Sequence, residues 1–305
     1  MIFPTIVVAT YNRLDSLKRL LETLVNANYE GYNNIRLLIS VDKHPAEEEN
    51  VLNFLNNFDW PFGEYIIKTY KKRLGLKNHF IQCCDYTYDY DSIIFLEDDF
   101  IVSKNFYKYS TQSLNFYKDD TRISGIALYS LAYNEFSNRV FTPLEDGSEQ
   151  YFIQIPTWGK VFTKEKWSGF KDWYLSKSHF EFDELQLPKV IRKWSKKSFK
   201  REYIKYLVDQ DKFFVLPRKS FVTNFGEQGE HFVNKDSKFQ RPLRIEYSKS
   251  PNYSFVDIAK SLSVYDVYME ILPEKLKKIN SDLQNFNFTV DLYGIKPLKQ
   301  ITTEY

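Results

Sequence analysis

The sequence predicts an α/β protein with a mostly parallel sheet flanked by helices. Three observations carry this reading. β-Branched apolar runs alternate with helical stretches through residue 117, and polar or acidic residues gather just after the runs. With 305 residues and 43% apolar content, the chain can bury one large core or two closely packed ones.

Each element follows from its residue pattern. "TIVVAT" (5–10) is a β-branched run, and "LDSLKRLLETLVNA" (14–27) then sets Leu14, Leu17, Leu20, Leu21 and Leu24 on one helical stripe. "IRLLISVD" (35–42), "EYIIKTY" (64–70) and "SIIFLE" (92–97) read as further strands, separated by helices in "EEENVLNFLNNF" (47–58) and "KNHFIQCCDYTY" (77–88). After the fourth strand a helix is expected within "VSKNFYKYSTQSLNFY" (102–117), then a strand in "RISGIALYS" (122–130). "PTWGKVFTKEKWSGF" (156–170) reads as a glycine turn leading into a short aromatic-rich helix, and "SFKREYIKYLVDQD" (198–211) as an amphipathic helix. "FFVLPRKSFVTNFGEQGEHF" (213–232) reads as a strand pair and a loop hinged at Gly226 and Gly229; helical turns are expected around 256–280. No repeat or Pro/Gly linker divides the chain. It is therefore read as one compact unit with a ligand-binding half (1–120), a second half with a closing loop (121–240) and a C-terminal α+β extension (241–305).

Composition excludes several classes. Lys plus Arg number 42 and Asp plus Glu 40, a net charge of +2 that makes no overall case for nucleic acid. No run approaches the roughly 18 to 20 apolar residues of a membrane span. The opening "MIFPTIVVAT" has no leader character, so a cytoplasmic location is expected. Cys83 and Cys84 are adjacent, which fits two reduced, half-buried helix residues better than a disulfide or a zinc site. Aromatics make up 18% of residues; AT-rich coding and sugar stacking both explain them.

"LEDDF" is the sharpest feature. Glu97, Asp98 and Asp99 stand where ligands bind in parallel sheets, beyond the carboxyl ends of the strands, together with "TYNR" and "VDKH". Adjacent carboxylates raise each other's pKa, and a cation among them keeps them ionised. Hard oxygens suit Mg²⁺ or Mn²⁺, which keep one or two protein carboxylates and take the rest of their shell from water and phosphate. The competing explanation is that Asp98 or Asp99 caps the following helix, a place Ser103 also contests.

Taken in order, "VATYNR", "SVD", "FLEDDFIVSKNFYKY", "IPTWGKVFTKEKW" and "LPRKSFVTNFGEQGEHF" resemble the nucleotide-sugar glycosyltransferases of the GT-A (Rossmann-like) fold. The closer resemblance is to N-acetylglucosaminyltransferase I and related bacterial polysaccharide glycosyltransferases. It covers about residues 3–235. It implies a transferase moving a hexosyl or N-acetylhexosaminyl group from a nucleotide-sugar, UDP-linked, to a glycan or lipid-linked sugar, with inversion and with Mn²⁺ or Mg²⁺, in bacterial surface polysaccharide synthesis. In this sequence "EDD" stands where the family's DxD motif is expected.

Carried over by position, the resemblance makes Asp99 the metal ligand, with Asp98 and Glu97 contacting ribose or donor sugar. Asp42 would accept from the uracil imide, for which an acceptor-only carboxylate is suited. Arg13 would reach the base or the phosphates, its alternative being a solvated loop arginine. Thr10 and Tyr11 would frame the ribose or stack on the base, or simply build the turn. The loop around "GEQGEHF" would close over the donor and bring His231 to the diphosphate or the metal.

Acceptor contacts fall to Trp158 and Gly159 in the glycine turn, while Trp167 reads as core. Inversion needs a carboxylate or imidazole near the acceptor hydroxyl. "FKDWYLSKSHFEFDELQLP" offers Asp172, Asp183 and Glu184, with Asp183 preferred because it sits farther along an aromatic-flanked loop; this segment departs from the family's paired aspartates. The basic stretch "IRKWSKKSFKREYIK" (191–205) is either a solvated helix face or a peripheral contact with anionic lipid.

Other classes fit less well. A nucleotidyltransferase would show a glycine-rich loop after the first strand, where "VATYNRLDS" has no glycine, and an aspartate-nucleophile phosphatase would place aspartates there. The main alternative is a sugar-nucleotide or glycan binding module that retains the fold without turnover.

Overall fold

The computed structural model describes residues 2–177, 180, 182, 186–195, 197–225, 239–246, 248 and 250–301. The alternation read from the sequence is present. β1 (Thr5–Thr10), α1 (Leu14–Val25), β2 (Leu37–Val41), α2 (Glu48–Asn56), β3 (Tyr65–Thr69), α3 (Leu76–Asp85), α4 (Thr87–Tyr90) and β4 (Ser92–Glu97) follow one another. The remaining strands and helices are β5 (Phe100–Val102), α5 (Phe106–Tyr117), β6 (Ile123–Ala127), β7 (Tyr133–Asn134), β8 (Arg139–Val140), β9 (Gln150–Ile153), β10 (Lys160–Thr163) and α6 (Lys164–Leu175). Then come α7 (Lys189–Arg192), α8 (Phe199–Asp209), β11 (Phe213–Pro217), β12 (Val222–Asn224), β13 (Val264–Tyr265), α9 (Pro273–Ile279) and α10 (Leu298–Ile301).

Among the described residues the main sheet has nine strands, in the order β13-β9-β11-β6-β10-β4-β1-β2-β3. β1 is parallel to both β2 and β4, with Thr10 opposite Val41 and Ala9 opposite Glu97. Strand order therefore reverses between β1 and β4, and the crevice that opens at such a reversal is where open α/β sheets bind ligands.

Side-chain alternation along these strands feeds two cores. Ile6, Val8, Ile94 and Leu96 join the core that also holds Leu17, Leu20, Leu21 and Leu24 of α1 and Tyr107 and Leu114 of α5. Val7, Ile93 and Phe95 point the other way, into the core of Phe80 (α3), Trp167 (α6) and Tyr203 (α8). Both faces are covered, which is why the strands read as continuous apolar runs rather than alternating ones. Trp167 is fully buried, as the spacing implied.

Four local readings change. "KVFT" is not part of a turn-to-helix segment: it forms β10, antiparallel to β4 and β6, and Thr163 then caps α6 by accepting from the Lys166 N–H. The two strands of 213–224 do not pair with each other. β11 enters the main sheet between β6 and β9, while β12 pairs with β5. Cys83 and Cys84 are free and wholly buried, not half-buried. The helix of 102–117 starts only at Phe106, because residues 100–102 are taken up as β5.

Candidate functional site

A cavity of about 580 Å³ opens at the carboxyl ends of β1, β2 and β4. Thr10, Tyr11, Arg13, Asp42, Arg73, His79, Glu97, Asp98, Asp99 and Asn224 supply its polar wall; Leu76, Phe80, Phe95, Phe100, Trp158 and Phe199 supply its apolar wall. A concave, partly apolar site with a few convergent polar groups is the usual form of a small-molecule pocket.

The acidic turn is built by β1 and β4 together. The Asp98 N–H donates to the Ala9 carbonyl at 3.1 Å, fixing the turn against the end of β1. The buried Asp98 carboxylate accepts from the Thr10 hydroxyl at 2.9 Å and from Arg13. Arg13 also donates to Asp99 Oδ2 at 3.0 Å, so one guanidinium bridges both aspartates. Asp99 Oδ1 is buried and has no hydrogen-bond partner among the described residues. Neither aspartate caps α5, whose N-cap residue Asn105 makes no side-chain cap bond, and the Ser103 hydroxyl has no partner among the described residues.

Burial pushes Asp98 up to about 6 although Arg13 pulls it down, and pushes Glu97 up to about 7 against the pull of Lys160. For Arg13, burial acts downward, but the Asp98 and Asp99 carboxylates outweigh it and its pKa is raised. The solvated-loop alternative for Arg13 does not describe this side chain, which is 29% exposed and doubly paired. Hard carboxylate oxygens, one of them lacking a donor, match the preference of Mg²⁺ or Mn²⁺; Asp99 is the residue that could hold such an ion.

Asp42 organises the opposite side. Its Oδ1 accepts from the N–H groups of Lys43 at 2.9 Å and Leu74 at 2.7 Å, and its Oδ2 accepts from that of Gly75 at 2.9 Å. The carboxylate thus pins the loop that follows β3, retaining lone-pair capacity on Oδ2. That loop presents Arg73, whose guanidinium lies 4.5 Å from the Tyr11 ring centroid. Tyr11 also meets His44 edge-to-face at 4.7 Å. His79 of α3 shares a hydrogen bond of 2.8 Å between Nε2 and the Ser40 hydroxyl, and burial lowers its pKa.

Trp158 closes the far wall. Its ring stands 4.6 Å from Tyr129 and 6.0 Å from Phe100, and Gly159 beside it adopts φ +64°. The structure therefore brings Thr10, Tyr11, Arg13, Asp42, Glu97, Asp98, Asp99 and Trp158 to one cavity. It does not bring Asp172, which is exposed on α6 and lines no part of it. Asp183, Glu184 and His231, and the hinge glycines 226 and 229, lie outside the described residues.

Arg73, His79 and Asn224 line the cavity without having been singled out in the sequence. The carboxyl-end rule could have found Arg73, since "KKR" follows β3. Nothing in the sequence marks His79 or Asn224. Much of the basic stretch is partnered within the chain: Arg201 lies over Phe182 and donates to the Trp194 carbonyl, and Lys205 reaches Gln186 and Asp209. Among the described residues no helix is long and apolar enough to cross a membrane.

No curated protein matches the sequence. Among solved structures, Staphylococcus aureus TarS 1–349 in complex with UDP-GlcNAc shares 11% identity at a TM-score of 0.48, over 76% of this chain and 60% of that one. GalNAc-T7 with UDP, GalNAc and Mn²⁺ shares 14% at 0.47, over 73% and 44% of the two chains. A Pyrobaculum calidifontis mannosyltransferase with GDP-Man and Mn²⁺ shares 11% at 0.36, over 53% and 45%. The chain thus spans about three fifths of the length of the TarS chain. The family described as glycosyl transferase family 2 matches residues 5–167, from β1 into α6, a span that contains Thr10, Asp42, the acidic turn and Trp158. On that match, which takes in more than half of the sequence, the chain belongs to glycosyl transferase family 2 and has its GT-A α/β architecture.

Proposed function

We propose that the protein is a divalent-cation-dependent glycosyltransferase that moves a sugar from a UDP-linked donor to a glycan or lipid-linked sugar, with inversion, in bacterial surface polysaccharide assembly. The observation that carries this is the buried Asp99 Oδ1 without a partner, beside the anchored Asp98, at the switch point of a family 2 sheet. A Mn²⁺ or Mg²⁺ ion held by Asp99 would supply positive charge to the departing diphosphate.

The chain's own residues divide the remaining work. The Asp42 side of the cavity, with Tyr11, Arg73 and His79, receives the base, and the remaining capacity of Asp42 Oδ2 suits the uracil imide donor. Asp98 and Glu97 face ribose and donor-sugar hydroxyls, and Trp158 offers a ring face to the acceptor. Inversion needs a base beside the acceptor hydroxyl. With Asp172 away from the cavity, that role falls to Asp183 or Glu184, and His231 is assigned to the diphosphate. The aromatic wall limits water around the reacting carbon, which favours transfer over hydrolysis.

The test is a panel of UDP-, GDP- and dTDP-sugars with Mn²⁺, measuring nucleotide release and the anomeric configuration of the product. Release from a UDP-sugar that stops in excess chelator and yields the inverted product is the expected outcome. Tight UDP-sugar binding with no release, alone or with any acceptor, would identify the binding module instead.

A further inference from the structure

Asn224 ends β12, and nothing in the sequence pattern or in the reading above gives it a role. It is 9% exposed, it lines the cavity, and its Oδ1 is buried with no hydrogen-bond partner among the described residues, the same condition as Asp99 Oδ1. A buried acceptor without a donor is costly, so two in one cavity ask for a shared explanation.

The backbone holds the two residues in a defined relation. Asn224 is opposite Phe100 in the β12–β5 pair, and the next N–H, that of Phe225, donates to the Asp99 carbonyl at 3.0 Å. Asn224 is therefore fixed to the acidic turn by strand pairing rather than carried on an independent loop.

We infer that Asn224 supplies a second protein oxygen to the divalent cation, beside Asp99. The inference rests on the reading in which Asp99 holds that ion. An amide oxygen is a hard, neutral ligand of the kind Mg²⁺ and Mn²⁺ accept, and such ions need only one or two protein oxygens when a diphosphate and water complete the shell. Among the described residues no group of three or more His, Cys, Asp or Glu could hold a metal, which leaves room for a ligand of another type. A neutral second ligand also avoids adding charge to a site where Asp98 and Asp99 already share one guanidinium.

The experiment measures Mn²⁺ binding by loss of the free-ion EPR signal, with Mn²⁺ alone and with Mn²⁺ plus UDP. It compares wild type, Asn224→Leu, Asn224→Ala, Asn224→Asp and Asp99→Asn, each checked for a cooperative melt. Leu and Ala should weaken binding about tenfold or more. Asp, which keeps the oxygen, should bind as tightly as wild type or tighter. Wild-type affinity in Leu and Ala, with binding lost in Asp99→Asn, would overturn the inference and leave the proposed function standing. Equal weakening by Asp and Leu would also overturn it, by assigning the amide N–H rather than the oxygen to the ligand. A wild-type protein that binds no Mn²⁺ under either condition would remove the cation from Asp99 and this inference with it.

Discussion

Asp98 and Asp99 are neighbours with different capacities. Both oxygens of Asp98 are engaged, by Thr10 and Arg13, whereas among the described residues Asp99 shares only Oδ2 and leaves Oδ1 without a donor. Asp99→Asn preserves shape and an acceptor for Arg13 but removes charge that would bind the cation. Turnover, read as nucleotide release, should fall by about 10²-fold or more with little change in melting temperature. Asp42 behaves differently, because its carboxylate is structural as well as available. Asp42→Ala leaves the N–H groups of Lys43, Leu74 and Gly75 without their acceptor. It should cost about 1 to 3 kcal/mol in denaturant unfolding as well as weakening UDP binding, since each orphaned, partly buried donor costs on the order of 1 kcal/mol. A mutant with wild-type stability would show that the loop after β3 does not depend on this clamp.

At the scale of elements, the glycine turn before β10 couples the wall proposed to meet the acceptor to β12. Gly159 has φ +64°, and a Cβ there would stand 3.0 Å from Leu128 Cβ and 3.1 Å from Val222 Cγ2. Gly159→Ala should destabilise by about 1 to 3 kcal/mol, combining left-handed backbone strain with crowding of two buried side chains. Because Trp158 adjoins the turn and Val222 begins the strand that ends at Asn224, KM for the acceptor should rise and Mn²⁺ affinity should fall. Acceptor kinetics beside a denaturant curve would check this; a stability loss with unchanged KM would make the turn structural only.

At the scale of the whole molecule, Asp146 joins the C-terminal segment to the sheet. It accepts from Arg218 at 2.7 Å, just after β11, and from the Ser261 hydroxyl at 2.6 Å and the Leu262 N–H at 3.1 Å, just before β13. Burial acts to raise its pKa, but the hydrogen bonds from Ser148 and Ser261, with that from Arg218, prevail and hold it down at about 2, against an ordinary 3.8. The unfolded chain therefore binds more protons than the native one between those values, and this contribution is present above about pH 4 and lost as pH falls towards 2. Asp146→Asn should lower stability at neutral pH by about 1 to 2 kcal/mol, allowing for solvent screening. The gap between mutant and wild type should close across that acid window in denaturant titrations at stepped pH. A gap that stays constant would mean the carboxylate's charge is not what holds the segment.

Local pattern was enough for the first half of the fold because the information there is periodic. Leu17, Leu20, Leu21 and Leu24 mark a helix by spacing, and Ile6 to Val8 mark a strand by β-branching, whatever they pack against. Polar residues after such strands had to lie on the sheet's carboxyl edge, so Thr10, Arg13, Asp42 and the acidic turn could be named together. Pairing carries no comparable local signature. "KVFT" is four residues long and becomes β10 only because the gap between β4 and β6 can be filled antiparallel, and β12 leaves β11 for β5 because Phe100–Val102 offers it an open edge. The same limit applies to the site. His79, Arg73 and Asn224 enter the cavity from α3, the loop after β3 and a small separate sheet, and their convergence is a consequence of strand order, which is decided by the burial and hydrogen bonding of the assembled sheet rather than by any short stretch of sequence.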